Sequence, residues 1–199
     1  MAAITVGFVL LTVFVYFDPA SVFDLNFSKE VQEHQNPVLD SIMEAISWPG
    51  YVPASPVIVL CTALIFFIFK YKKEALFVVL TMLSGLISTV IKVAVNRPRP
   101  TEDLIRVVAK NQQQSFPSGH VLFYVIFFGF LIILMLRLEA IPKAIKVIVS
   151  AICLLLIFAV PVSRVYLGAH WFTDVLGGFL LGIICLYILG YQYLKTESK

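Results

Sequence analysis

The sequence predicts an all-α membrane protein: six transmembrane helices, with a short amphipathic interfacial helix in the first outer loop. Two observations predict it. Of 199 residues, 60% are hydrophobic and only 14% are charged, and the mean hydropathy is +0.94. Soluble domains carry about a quarter charged residues, so this chain lacks the polar groups to cover itself in water, and lipid is its solvent. The apolar residues also gather into six runs, each approaching the roughly 20 residues that cross about 30 Å of hydrocarbon.

The first run, Met1 to Phe17, is the shortest. It lacks the basic start of a secretory signal, and Asp18-Pro19 offers no small-residue cleavage site, so it reads as a span. The others are Pro53 to Phe69, Ala75 to Val95, His120 to Leu136, Ile145 to Val162 and Phe172 to Leu194. The outer connection 18–52 contains a helix start, because Asn36 is a good cap and Pro37 suits the first helical position. After it Val38, Leu39, Ile42, Met43 and Ile46 recur at helical spacing, with Asp40, Glu44 and Ser47 between them. Such a helix lies on the membrane surface with Trp48 as its anchor, or packs on the end of the bundle; the pattern fits both. Gly178 and Gly182 form a small-xxx-small pair that predicts a close helix contact in the last span. With no internal repeat and no low-complexity tract, residues 1–199 read as one domain.

Six spans place both termini on one side, with Lys70, Lys72, Lys73, Arg137, Lys143, Lys146, Lys195 and Lys199, eight of the fifteen Lys and Arg residues. The other side carries Lys29, Lys92, Arg97, Arg99, Arg106, Lys110 and Arg164. The raw count barely separates the sides. Setting aside the cations given a chemical task below makes the terminal side the more basic, hence cytoplasmic, and turns the 96–116 and 163–171 connections outward. A formal charge of +3 is too small to suggest a nucleic-acid partner. Cys61, Cys153 and Cys185 all lie in apolar runs, where cysteine behaves as a small hydrophobe, so neither a disulfide framework nor a zinc site is read.

Three blocks fall at the outer ends of the spans. Lys92 lies about 26 Å along a helix from Ala75, at the outer boundary, where a lysine that only snorkels would also sit. Asn96-Arg97-Pro98-Arg99-Pro100 then stops the helix and sets Arg99 on a stiff turn able to face Lys92. Two cations at one spot need an anion. Pro117-Ser118-Gly119-His120 opens the fourth span: Ser118 is placed to cap it, Gly119 admits close backbone approach, and the free N–H groups of a first turn bind phosphate. His120 would point at the same anion. Ser163-Arg164, His170 and Asp174 occupy the last outer turn. If the sixth helix begins near Gly168 or Ala169, His170 and Asp174 share a face, and a carboxylate can hold one imidazole nitrogen while the other serves as a nucleophile. A plain helix-stabilising pair is the alternative. Asp174 is also an acid within an apolar run, where ionisable groups usually have a task. His34, Arg106 and Lys110 read as solvated, and Arg97 as a weaker phosphate contact than Arg99. The residues alone do not say which histidine attacks, though the carboxylate favours His170.

Lys92 with six residues to Arg99-Pro100, Pro117-Ser118-Gly119-His120, and Ser163-Arg164 with five residues to His170 and three more to Asp174 together resemble the type 2 phosphatidic acid phosphatase superfamily. All three motifs of that family are present in order and without substitution. The resemblance implies that Lys92, Arg99 and Arg164 grip phosphate with help from Ser118 and the Gly119 backbone. It further implies that His170 attacks phosphorus, Asp174 orients it and His120 protonates the leaving alcohol, with no metal or other cofactor. The expected substrate is a membrane lipid phosphate, phosphatidylglycerophosphate ahead of undecaprenyl diphosphate, phosphatidic acid and diacylglycerol diphosphate. A transporter or scramblase would use the same cradle without hydrolysis, but no charge lies at mid-depth to make a path. Vanadate-binding haloperoxidases share the motifs and are soluble and larger.

Overall fold

A computed structural model of the protein describes residues 1–109 and 113–197; Lys110, read above as a solvated loop residue, lies outside the described residues. Among the described residues all regular structure is helical. The order is α1 (Ala2–Phe17), α2 (Val22–Val31), α3 (Pro37–Ser47) with a 3₁₀ turn at Trp48–Gly50, α4 (Ala54–Ile68), α5 (Lys72–Leu80), α6 (Leu83–Val95), α7 (Gly119–Arg137), α8 (Lys143–Tyr166) and α9 (Phe172–Glu197).

Four stretches are long and apolar enough to cross a bilayer by themselves: Lys72–Val95, Gly119–Arg137, Lys143–Tyr166 and Phe172–Thr196. Helices α1 and α4, with 16 and 15 residues, are too short alone. Each reaches span length only with a bent neighbour, α1 with α2 across 100° and α3 with α4 across 57°, so the described residues hold four to six candidate spans. The run from Ala75 to Val95 is broken at Thr81, whose hydroxyl turns back onto the Val78 carbonyl (2.6 Å) and competes with the regular helix bond.

Helix α3 starts as its sequence predicts, with the Asn36 side chain accepting from the Leu39 N–H (2.8 Å) and Pro37 in the first turn. Its inner face packs against α8. Asp40 accepts from both Arg106 nitrogens (2.9 and 2.5 Å) and from the Tyr166 hydroxyl, and Ser47 pairs with Ser163 (2.9 Å). Val38 and Ile42 remain exposed on the other face, and so does Trp48. Helix α2 was not predicted, because its mixed composition has no apolar period; Ser21 caps it by accepting from the Asp24 N–H.

Helix α7 is the axis of the bundle, buried from Val121 to Phe130 between α8 and α9. The close approach of α9 depends on the predicted glycine pair, since a Cβ at Gly182 would collide with Val125 and one at Gly178 with the Ser118 carbonyl. Two stops place the site. Helix α6 ends at Asn96 in the left-handed region (φ 51°), a conformation asparagine tolerates, with its N–H on the Lys92 carbonyl (2.9 Å). After α8, Gly168 takes φ +65°, and a Cβ there would strike the Arg106 carbonyl, so only glycine makes this turn. The ends of α6 and α8 and the starts of α7 and α9 thereby meet at one face.

Candidate active site

A cavity of about 550 Å³ opens among α4, α6 and α7, and Lys92, Arg99, Gly119, His120 and His170 line it together. These residues come from the three blocks of the sequence. Lys92 is buried near the end of α6 and donates to the carbonyls of Gln114 (2.5 Å) and Ser115 (3.1 Å). Arg99 donates to the carbonyls of Gln113 (2.6 Å) and Ala169, and its Nη1 lies 3.2 Å from His170 Nε2. Main-chain oxygens thus aim both cations. Arg164 is buried at the end of α8, where Nη1 donates to the Tyr51 hydroxyl (2.8 Å) and Nε has no hydrogen-bond partner among the described residues. Tyr51 also lines the cavity, with its ring edge-on to His120 at 4.6 Å between centroids.

Ser118 occupies the cap position of α7, but its hydroxyl makes no capping bond. The Oγ is buried without a hydrogen-bond partner among the described residues, and the Ser118 N–H instead donates to the Asp174 carbonyl (2.9 Å), fastening the start of α7 to the start of α9. His120 Nε2 is likewise buried without a partner among the described residues. At the head of a helix, such unsatisfied groups form a ready anion and proton-transfer site.

His170 precedes α9 rather than belonging to it, contrary to the helix start expected near Gly168 or Ala169. The left-handed Gly168 ends α8 so sharply that His170 falls in the connection, yet Asp174 in the first turn still reaches it. His170 Nδ1 is 3.6 Å from Asp174 Oδ2. The Ser115 hydroxyl stands between them, donating to Oδ2 and lying 3.4 Å from Nδ1, and the Trp171 N–H also donates to Oδ2 (2.8 Å). Burial, then the charges of Arg99, Lys92 and Arg164, hold the His170 imidazole well below its ordinary value, so it is neutral at pH 7. A neutral imidazole with Nδ1–H turned to Ser115 carries its lone pair on Nε2, the nitrogen that faces Arg99 Nη1.

Arg97, whose three guanidinium nitrogens all have partners within the protein, is not the phosphate contact the sequence allowed for. It is fully buried in a network: Nη1 donates to Asp174 Oδ1 and to Thr173 Oγ1 (2.6 Å each), Nη2 to Asp24 Oδ2 (2.7 Å) and Nε to the Pro19 carbonyl (2.9 Å). Asp24 also accepts from the Thr173 N–H (2.9 Å). Removing one partner from such a buried pair costs about 3–5 kcal/mol. Arg106 is held by Asp40 away from the cavity, and His34 is exposed. Sequence reasoning passed over Ser115, Tyr51, Asp24 and Thr173. Only Ser115 carried a local signal, a hydroxyl two residues before Pro117. Among the described residues no group of three or more His, Cys, Asp and Glu side chains is placed to hold a metal ion.

The chain is 30% identical over 187 residues to the phosphatidylglycerophosphatase B of Bacillus subtilis (strain 168), a match covering 92% of this chain and 89% of that protein. Its fold matches the crystal structure of a transmembrane PAP2 type phosphatidylglycerolphosphate phosphatase from Bacillus subtilis with a TM-score of 0.84 at 25% identity, covering 98% of this chain and 96% of the other. The crystal structure of Aquifex aeolicus LpxE matches with a TM-score of 0.66 at 25% identity, covering 88% of this chain and 97% of that one. The family model of the PAP2 superfamily matches residues 73–198, which hold all three motif blocks, and the chain belongs to that superfamily.

Proposed function

We propose that this protein is a membrane lipid phosphatase that converts phosphatidylglycerophosphate to phosphatidylglycerol and inorganic phosphate through a phosphohistidine intermediate. The observation that carries the reading is the buried His170, its Nδ1 side turned to Ser115 and Asp174, lining one cavity with Lys92, Arg99 and His120. The activity named for the Bacillus subtilis relative supports this substrate.

In the proposed reaction Lys92, Arg99 and Arg164 bind the phosphate oxygens, with the Ser118 hydroxyl and the Gly119 N–H at the positive end of α7. His170 Nε2 attacks phosphorus; an N–P bond forms and the P–O bond to the lipid breaks. The electron pair leaves on the alkoxide, which takes a proton from His120. A water molecule then attacks the phosphohistidine while His120 recovers the proton, releasing phosphate and neutral His170. Asp174, through Ser115, keeps the Nδ1–H directed away from phosphorus and stabilises the cation that forms. Three cations and a helix terminus supply the charge stabilisation, so no metal enters this scheme.

The chain is read as one six-span domain, residues 1–199, with termini in the cytoplasm, the active site at the outer face and α3 at the interface. The exposure of Val38, Ile42 and Trp48 supports that placement of α3. The test is phosphate release by the purified protein from phosphatidylglycerophosphate, undecaprenyl diphosphate, phosphatidic acid and diacylglycerol diphosphate in detergent. A preference for phosphatidylglycerophosphate is expected. Release from none of them would leave an anion carrier as the better reading.

A further inference from the structure

Helix α6 is amphipathic in the inverted sense. Its side chains Leu83, Leu86, Val90 and Val93 are exposed, and the residues it buries are Ser84, Ser88 and Lys92. These three stand on one face at successive turns, about 6 Å apart along the axis. A hydroxyl in an apolar helix ordinarily bonds the carbonyl one turn back. Thr12, Thr62 and Thr89 do so, on Phe8, Ile58 and Gly85 (2.8, 2.8 and 2.9 Å). Ser88 does not: it is 5% exposed, lines the cavity, and its Oγ has no partner among the described residues. A buried hydroxyl without a bond is unfavourable unless a ligand completes it. Ser84 and, on the α4 wall, Ser55 line the same cavity.

We propose that Ser88 and Ser84, with Ser55 opposite, bind the polar linker that joins the scissile phosphate to the acylated part of the lipid, a glycerol phosphodiester. The proposal rests on the lipid-phosphatase reading of the site. In-line displacement puts the leaving oxygen on the side of phosphorus away from His170, the side of His120. Ser88 is beside that position, since a Cβ at Gly119 would come within 3.1 Å of its Oγ. One turn further from Lys92, Ser84 is level with the second phosphate of a substrate whose two phosphates are separated by a three-carbon bridge. A lipid diphosphate, with its second phosphorus directly on the leaving oxygen, reaches only Ser88. Phosphatidic acid has no second phosphate. The hydroxyl ladder therefore selects for the linker, while the cations select for the phosphate.

The experiment measures kcat/KM for phosphatidylglycerophosphate and for phosphatidic acid of the same acyl chains, with wild type, Ser84→Ala, Ser88→Ala and the double variant in detergent. Each substitution removes only a hydroxyl group, and thermal unfolding midpoints report on folding. The ratio of the two kcat/KM values should fall roughly 3- to 10-fold for each single variant, as expected for one neutral hydrogen bond, and further for the double. Ser88→Cys, which keeps a polar hydrogen but is slightly larger and a weaker donor, should give an intermediate ratio. A ratio within about twofold of wild type in the double variant, or equal losses on both lipids, would overturn the proposal. A wild-type protein that cleaves neither lipid would overturn the phosphatidylglycerophosphate reading itself, and this inference with it.

Discussion

His170 and Asp174 do not touch: 3.6 Å separates Nδ1 from Oδ2, beyond hydrogen-bonding distance, and the Ser115 hydroxyl, bonded to Oδ2, lies 3.4 Å from Nδ1. The carboxylate thus acts on the imidazole in part through a serine. His170→Ala should abolish turnover in a protein that still folds. Asp174→Asn should slow it on the order of 10³- to 10⁴-fold, because an amide places an NH₂ against donors from Arg97, Ser115 or Trp171 and favours the wrong imidazole tautomer. Ser115→Ala should cost roughly 10-fold, with KM little changed. Steady-state kinetics with a lipid phosphate would decide, and full activity in Ser115→Ala would remove the serine from the relay.

The depressed His170 also sets a pH dependence. Burial first, then Arg99, Lys92 and Arg164, hold it well below the ordinary histidine value of about 6.5, so the native state refuses a proton that the unfolded chain accepts. Its contribution to stability is complete above about pH 6.5 and is lost as pH falls below that value toward the folded one. The acid limb of kcat/KM, which reports the free enzyme, should accordingly lie below pH 6.5. An acid limb at pH 7 or above, in a profile measured from pH 4 to 8, would contradict the placement of His170 among these cations.

Chelators should leave the rate unchanged and vanadate should inhibit, since a trigonal-bipyramidal anion suits a cradle of Lys92, Arg99 and Arg164. Loss of activity in EDTA that magnesium restores would exclude the metal-free scheme. Arg164→Lys should lose roughly 10- to 100-fold in kcat/KM, because Nη1 is engaged by Tyr51 while Nε is buried with no partner among the described residues, and an ammonium cannot serve two directions at once.

Sidedness is testable by thiol labelling in intact cells, using a background without Cys61, Cys153 and Cys185. Glu102→Cys, in the connection after Arg99, should react with a membrane-impermeant reagent, and Glu139→Cys, after α7, should not. The reverse pattern would put the site in the cytoplasm.

Removal of His120 should discriminate between leaving groups. Phosphatidylglycerophosphate expels an alkoxide that needs a proton, whereas undecaprenyl diphosphate expels a lipid monophosphate, whose second pKa of about 6 lets it depart as an anion. His120→Ala should slow the first reaction by about 100- to 10,000-fold and the second much less, in single-turnover measurements. Equal losses would make His120 a phosphate ligand rather than the proton donor.

What the sequence disclosed and what it hid divide along chain distance. The apolar runs were legible because lipid demands length, and the α3 start because Asn36 and Pro37 act on their own neighbours. That Lys92, Arg99, His120 and His170 come together was legible because each block sits at one helix end, so a few residues carry the whole signal. Arg97 and Arg99 are the same residue type two positions apart. Which one turns inward is decided by Asp24 and Asp174, both far away in the chain, and no local pattern encodes that. The break at Thr81 was hidden as well, since hydropathy runs through it unchanged.

The link from Arg97 to Asp24 limits what can be transplanted. Every motif residue lies within 73–198, the stretch recognised as the family's own, but Asp24 and the Pro19 carbonyl do not. A graft of that stretch onto another membrane bundle would carry all three motif blocks and leave Arg97 with Asp174 and Thr173 alone. The guanidinium would then compete with Ser115 for the carboxylate it now helps to hold. The segment from Pro19 to Asp24 is in this sense a keystone, chemically silent and outside the recognised region, and any chimera that keeps the motifs needs to keep it too.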